Sequence, residues 1–69
     1  MAMKIGEKIK ALRKEKNISQ EALAKVLGVT FQAVSKWETN TTAPDVSMIP
    51  SIASFFGVSI DELFDYNVF

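Results

Sequence analysis

The chain contains no cysteine and no histidine. Without cysteine no disulfide can brace it. Without either residue there is no zinc-finger ligation, no thiol nucleophile and no histidine-based triad. Glycine is held to three positions and proline to two, and no phosphate-cradling glycine loop is among them. The carboxylates are scattered, so nothing points to an enzyme, and no metal or other cofactor is expected. The uncharged stretch over 48–60 is interrupted by Pro50, Gly57 and three serines and is too short to span a bilayer. Met1-Ala2-Met3-Lys4 has no hydrophobic signal segment, so the expectation is a cytoplasmic protein without membrane association. Met1-Ala2, ahead of a second methionine, looks like a cloning remnant, and 1–4 read as an N-terminal extension.

What is present fits one small domain. Sixty-nine residues bury only about 60% of the unfolded surface, which leaves a thin stability margin. The 48% hydrophobic content is enough for one packed core and too much for a disordered chain. The net charge of zero hides an asymmetry. All eight basic residues lie within the first 36, leaving +4 over 1–38 and −4 over 39–69. Such a split favours a polyanion-facing end and an acidic end turned away from it.

Apolar spacing gives a series of short helices. Ile5, Ile9 and Leu12 recur at helical intervals with lysines between them, which predicts an amphipathic helix over 4–16 with a basic outer face. Ser19 is a good N-cap for a second helix over 20–27, stopped by Gly28 in left-handed geometry. Thr30 caps a third helix ending near Glu38. Thr39 to Asp45 reads as a polar loop in which Asn40 takes the left-handed position. A fourth helix is expected from about Ser47 to Phe56, with Pro50 in its first turn, where no amide donor is needed. Ser59-Ile60-Asp61-Glu62 is a capping box for a fifth over 60–65. No strand-period alternation occurs, so the expected fold is all-α and compact, with its domain over 5–65 and a tail or linker over 66–69.

Residues 20–38 form a unit of their own. A short turn, Gly28-Val29-Thr30, makes two eight-residue helices cross steeply, and only a small side chain fits at their closest point. Ala24 stands there. A small residue at the fifth position, glycine at the ninth and β-branched Val34 at the fifteenth is the helix-turn-helix pattern.

Ile18-Ser19-Gln20-Glu21-Ala22-Leu23-Ala24, Leu27-Gly28-Val29-Thr30, Gln32-Ala33-Val34-Ser35-Lys36-Trp37-Glu38, Pro44-Asp45 and 56–64 together carry a resemblance to the Cro/C1-type (Xre) helix-turn-helix regulators. It covers about 5–64. The resemblance implies a five-helix, lambda-repressor-like DNA-binding domain of a bacterial or phage transcription regulator. Such domains commonly bind palindromic operators on double-stranded DNA as homodimers, often attached to a C-terminal effector domain that would lie outside this chain. On a helical wheel Thr30, Val34 and Trp37 share one side of the third helix. Gln32 and Lys36 lie opposite, with Ser35 beside them and Phe31 at the edge. Gln32 can bond adenine bidentately, Lys36 can reach guanine or a phosphate, and Ser35 can serve either base or backbone. Phe31 departs from the family, which usually has a polar or basic residue there. It either touches thymine methyl groups or folds back on the second helix.

Phosphate candidates are Lys10, Arg13, Ser19, Gln20, Asn40 and Thr41. Ser19 and Gln20 open a helix, where free amides attract anions, and the family uses a Gln at this place to bond phosphate and to buttress the glutamine matching Gln32. The family often has glycine and a cation in the loop. Asn40 keeps the left-handed geometry, but Thr41 and Thr42 supply no cation, which implies fewer phosphate contacts. The resemblance also implies an ion pair between Arg13 and Glu38 that locks the third helix to the first. A rival reading is an antitoxin-type regulator or protein-interaction module of the same fold. Phe55, Phe56, Tyr66, Val68 and Phe69 would supply its apolar surface.

Overall fold

The computed structural model describes residues 5–64. The N-terminal extension expected over 1–4, Asp65 and the tail over 66–69 lie outside the described residues. Among those described there are only helices and turns: α1 (Ile5–Glu15), α2 (Gln20–Leu27), α3 (Phe31–Glu38), a 3-10 turn (Val46–Met48), α4 (Ile49–Phe56) and α5 (Ile60–Leu63).

Local signals set most boundaries. The Ser19 hydroxyl accepts from the Ala22 amide at 3.0 Å, and that of Thr30 from the Ala33 amide at 3.1 Å. Each caps a first-turn helix donor, the Ala33 amide being shared with the Thr30 carbonyl at 3.1 Å. Gly28 and Gly57 close α2 and α4 at φ 74° and 69°, where a side chain would be strained. Ser59 and Glu62 complete the capping box of α5. The fourth helix differs from expectation. Asp45 caps a 3-10 turn, in which the Met48 amide bonds the Asp45 carbonyl at 2.8 Å. The α-helical pattern begins only at Ile49, with Pro50 in its first turn.

The packing places α3 at the centre. It lies against both α1 and α2, while α5 packs on α4 and α1. Ile9, Leu23, Val34, Ile52 and Leu63 are fully buried, with Trp37 and Phe56 beside them. Each such side chain contributes about 1.5–3 kcal/mol, so five elements share one core. Ala24 is buried at the α2–α3 crossing, as its small size requires. Gly6 marks a second close approach. A Cβ there would collide with the Trp37 carbonyl oxygen and stand 2.7 Å from Asn40 Oδ1. The aromatic pair proposed as spare surface is largely absorbed. Phe56 is buried, and half-buried Phe55 meets it edge-on at 5.1 Å with Lys16 Nζ over its own face at 5.4 Å.

Candidate nucleic-acid interface

The outward side of α3 is built by what its inward side does. Val34, Trp37 and Glu38 are buried. At 100° per residue this turns Phe31, Gln32 and Lys36 outward, all exposed, with Ser35 half-buried between the two sides. Phe31 opens the helix and is 44% exposed. It belongs neither to the core nor to the partly buried residues packed on it. The structure thus brings the four base-reading candidates together on one helix, and leaves Phe31 partly exposed and outside the core.

Beneath this face lies a polar network. Arg13 Nε donates to Glu38 Oε2 at 2.7 Å, and Arg13 Nη2 to Glu38 Oε1 at 3.1 Å. Arg13 Nη1 donates to the Ile18 carbonyl at 2.8 Å, and Gln20 Nε2 to Glu38 Oε1 at 2.9 Å. A planar fork on a carboxylate fixes orientation as well as distance. Four segments are therefore tied at the far end of α3: α1, the α1–α2 turn, the start of α2, and α3 itself. The side chains of Arg13 and Glu38 are only 12% and 2% exposed. Two phosphate candidates thus share their donors with Glu38. Arg13 spends three of its five N–H donors within the domain and keeps two for a phosphate. Gln20 turns its amide to Glu38, where the resemblance had it buttressing Gln32, because a buried carboxylate is the stronger acceptor.

Burial alone would raise the Glu38 pKa. The hydrogen bonds from Arg13 and Gln20 and the charges of Arg13 and Lys10 outweigh it, so the carboxyl is held below its ordinary 4.5. A lowered folded-state pKa adds stability above the unfolded value, and this is lost as pH falls through the folded one. Urea midpoints should therefore drop as pH falls below about 4.5, and Glu38→Gln should drop less steeply from a lower neutral value. Parallel pH profiles would assign the acid sensitivity to other carboxylates.

The turn after α3 spends most of its backbone donors on itself. Asn40 adopts φ 60°, and its amide bonds the Trp37 carbonyl at 3.0 Å. The amides of Thr41 and Thr42 both reach the Lys36 carbonyl, at 2.9 and 3.3 Å. The Thr39 hydroxyl lies 3.2 Å from the carbonyls of both Ser35 and Lys36, and 2.8 Å from the Thr41 hydroxyl. A hydroxyl has one hydrogen. If Thr39 gives its hydrogen to those carbonyls, which accept only, Thr41 must donate to Thr39. In that arrangement neither the amide nor the hydroxyl of Thr41 is left for a phosphate. Ser19 differs, since it accepts at its cap and keeps its own hydrogen. Lys10 and Asn40 are exposed.

Sequence reasoning placed the end of α1 at Lys16-Asn17 and missed two participants, the Ile18 carbonyl and Gly6. Asn17 takes φ 60° just past α1, and the same signal that marked Asn40 was available there. The Ile18 carbonyl has no side-chain signature.

Comparison with known proteins agrees with this architecture. A helix-turn-helix family profile matches residues 9–63. The HTH-type transcriptional activator BcrR of Enterococcus faecalis is 44% identical over 61 residues, covering 88% of this chain but only 30% of BcrR. An HTH-type transcriptional regulator of Methanocaldococcus jannaschii is 41% identical, over 87% of this chain and 91% of its own length. The crystal structure of the P22 c2 repressor with a synthetic operator superposes with a TM-score of 0.80 at 37% identity, covering 86% of this chain and 89% of that one. No helix among the described residues is long and apolar enough to cross a membrane. With its capped pair α2–α3, its Ala24 crossing and these relatives, the chain belongs to the Cro/C1-type helix-turn-helix family of transcriptional regulators.

Proposed function

We propose that this chain binds double-stranded DNA sequence-specifically and regulates transcription, with α3 lying in the major groove. The observation that carries the reading is the two-sided α3. One side is fixed by core and network, and the other presents Gln32 and Lys36 to solvent. That is what a helix needs in order to reach base edges while its scaffold holds still. Gln32 pairs with adenine through N6 and N7. Lys36 meets guanine or a phosphate, and Ser35 a base or the backbone. Lys10 and the Ser19 hydroxyl, at the start of α2, approach the phosphates. The P22 c2 repressor, crystallised with an operator, shows that a domain of this shape accommodates a duplex. The protein is a cytoplasmic, non-enzymatic regulator. One recognition helix reads too few base pairs to find a genomic site. Two copies therefore bind a palindrome as a homodimer, with half-sites about 10 base pairs apart.

The test is selection of duplexes from a random pool at stated salt, followed by titration and footprinting. A preferred, salt-dependent site protected over two half-sites is expected. Equal affinity for selected and random duplexes would overturn the reading, and protection of one half-site at saturation would overturn the two-copy arrangement. On the selected site Gln32→Ala should lose about 1–3 kcal/mol and relax preference at one or two base pairs. A uniform loss on all sequences would show that Gln32 reads no base.

A further inference from the structure

We propose that Phe31 recognises the 5-methyl group of a pyrimidine in the major groove, and so sets a preference that the polar residues of α3 do not supply. The proposal rests on the DNA-binding reading above and names a chemical feature of the site.

Among the described aromatic side chains Phe31 alone is exposed. Trp37 and Phe56 are buried, and Phe55 and Phe64 are half-buried. The domain thus has room for aromatic rings and covers the others at least in part. Phe31 is placed by its helix. As the first residue after the Thr30 cap, it lies one step before Gln32 and on the same stripe as Ser35, four residues on. Buried Val34, Trp37 and Glu38 fix the rotation of α3 and so keep the Phe31 position on its outward side. The N-terminal residues of a recognition helix are those that approach base edges. A benzyl side chain has no donor or acceptor, so it cannot read the hydrogen-bonding pattern of a base. The apolar feature that the major groove offers is the methyl group at C5 of thymine. A cytosine methylated at C5 offers the same group. Contact with it removes apolar surface of both partners from water, which is the driving force an exposed ring lacks in the free protein.

The experiment takes the selected duplex and replaces each thymine of a half-site in turn by deoxyuridine, which keeps base pairing and removes only the methyl group. The wild-type chain should lose about three- to fivefold in affinity at one or two adjacent positions. Phe31→Ala, whose helical content is checked by circular dichroism, should bind the thymine and deoxyuridine duplexes equally at those positions. Gln32→Ala should keep the methyl dependence. At the sensitive position a cytosine–guanine pair, with and without a 5-methyl group, separates the two sources. Recovery with methylation shows that the methyl group itself is read, and no recovery assigns the contact to thymine. If the wild-type chain discriminates its selected site but no deoxyuridine replacement weakens it, the Phe31 proposal fails while DNA reading stands. The same holds if the loss persists in Phe31→Ala, or if the half-site contains no thymine. If no duplex is preferred at all, the underlying reading fails with it.

Discussion

Replacing Gly6 with alanine will cost the domain about 3 kcal/mol, even though alanine is the better helix former by about 1 kcal/mol. Gly6 is a buried residue inside α1, with no special backbone angle to justify glycine there. Its role is to let two backbones touch. The added Cβ would meet the carbonyl oxygen of Trp37 inside contact distance and crowd Asn40 Oδ1. A flexible side chain can swing away from such a clash, but a backbone carbonyl at the end of α3 cannot. That same carbonyl accepts the Asn40 amide that shapes the following turn. Separation of α1 from α3 would also loosen Trp37 and the Arg13–Glu38 pair, so the helix-propensity gain is the smaller effect. For a domain of this size the total margin is on the order of 3–9 kcal/mol, and the variant should stand near its unfolding threshold. Urea titration followed by circular dichroism measures it. A midpoint equal to or above wild type would show that α1 and α3 do not approach as described.

Arg13→Ala is expected to cost about 3–5 kcal/mol, and more than Glu38→Ala. The asymmetry follows from what each change leaves behind. Without Arg13, Glu38, only 2% exposed in the intact domain, keeps the Gln20 amide on Oε1 and loses the donor to Oε2. Without Glu38, the guanidinium keeps the Ile18 carbonyl and its 12% exposure, so water reaches it more readily. The double variant removes both charges and should cost less than the two single changes combined. Measured urea midpoints of the four proteins complete the cycle. Additive costs, or a milder Arg13→Ala than Glu38→Ala, would contradict the buried bidentate geometry.

The two effects also show which parts of the molecule could be read in the amino-acid order. Caps and stops depend on one residue and its next three or four neighbours. Ser19, Gly28, Thr30, Gly57 and Ser59 therefore announced their helices, and the bounds of α2 and α3 followed. Alternation of inner and outer positions on α3 is equally local, which is why Gln32 and Lys36 could be placed outward from spacing alone. The entry into α4 was harder. Asp45 offers a side-chain cap to Ser47 and a carbonyl to Met48, and a cap residue alone does not distinguish a 3-10 turn from the first turn of an α-helix. Gly6 was illegible because its requirement comes from residues 31 and 34 positions away, Trp37 and Asn40. The aim of Gln20 was hidden for a related reason. A side chain at a helix start has several acceptors in reach, and the buried carboxylate that wins belongs to another helix. The Thr39–Thr41 hydroxyl contact depends on how the turn folds back on the end of α3, which no local pattern encodes.

The two-sidedness of α3 has an evolutionary consequence. Its inner residues, Val34, Trp37 and Glu38, are committed to the scaffold, while Phe31, Gln32 and Lys36 touch little that holds the domain together. Exposed positions of this sort tolerate exchange within about 0.5 kcal/mol. If the proposed reading by these residues holds, descendants of one ancestral chain can diverge in what they bind without first acquiring a new fold or compensating stability. Exchange at these three outward positions would alter the exposed side of α3 and leave its buried side unchanged.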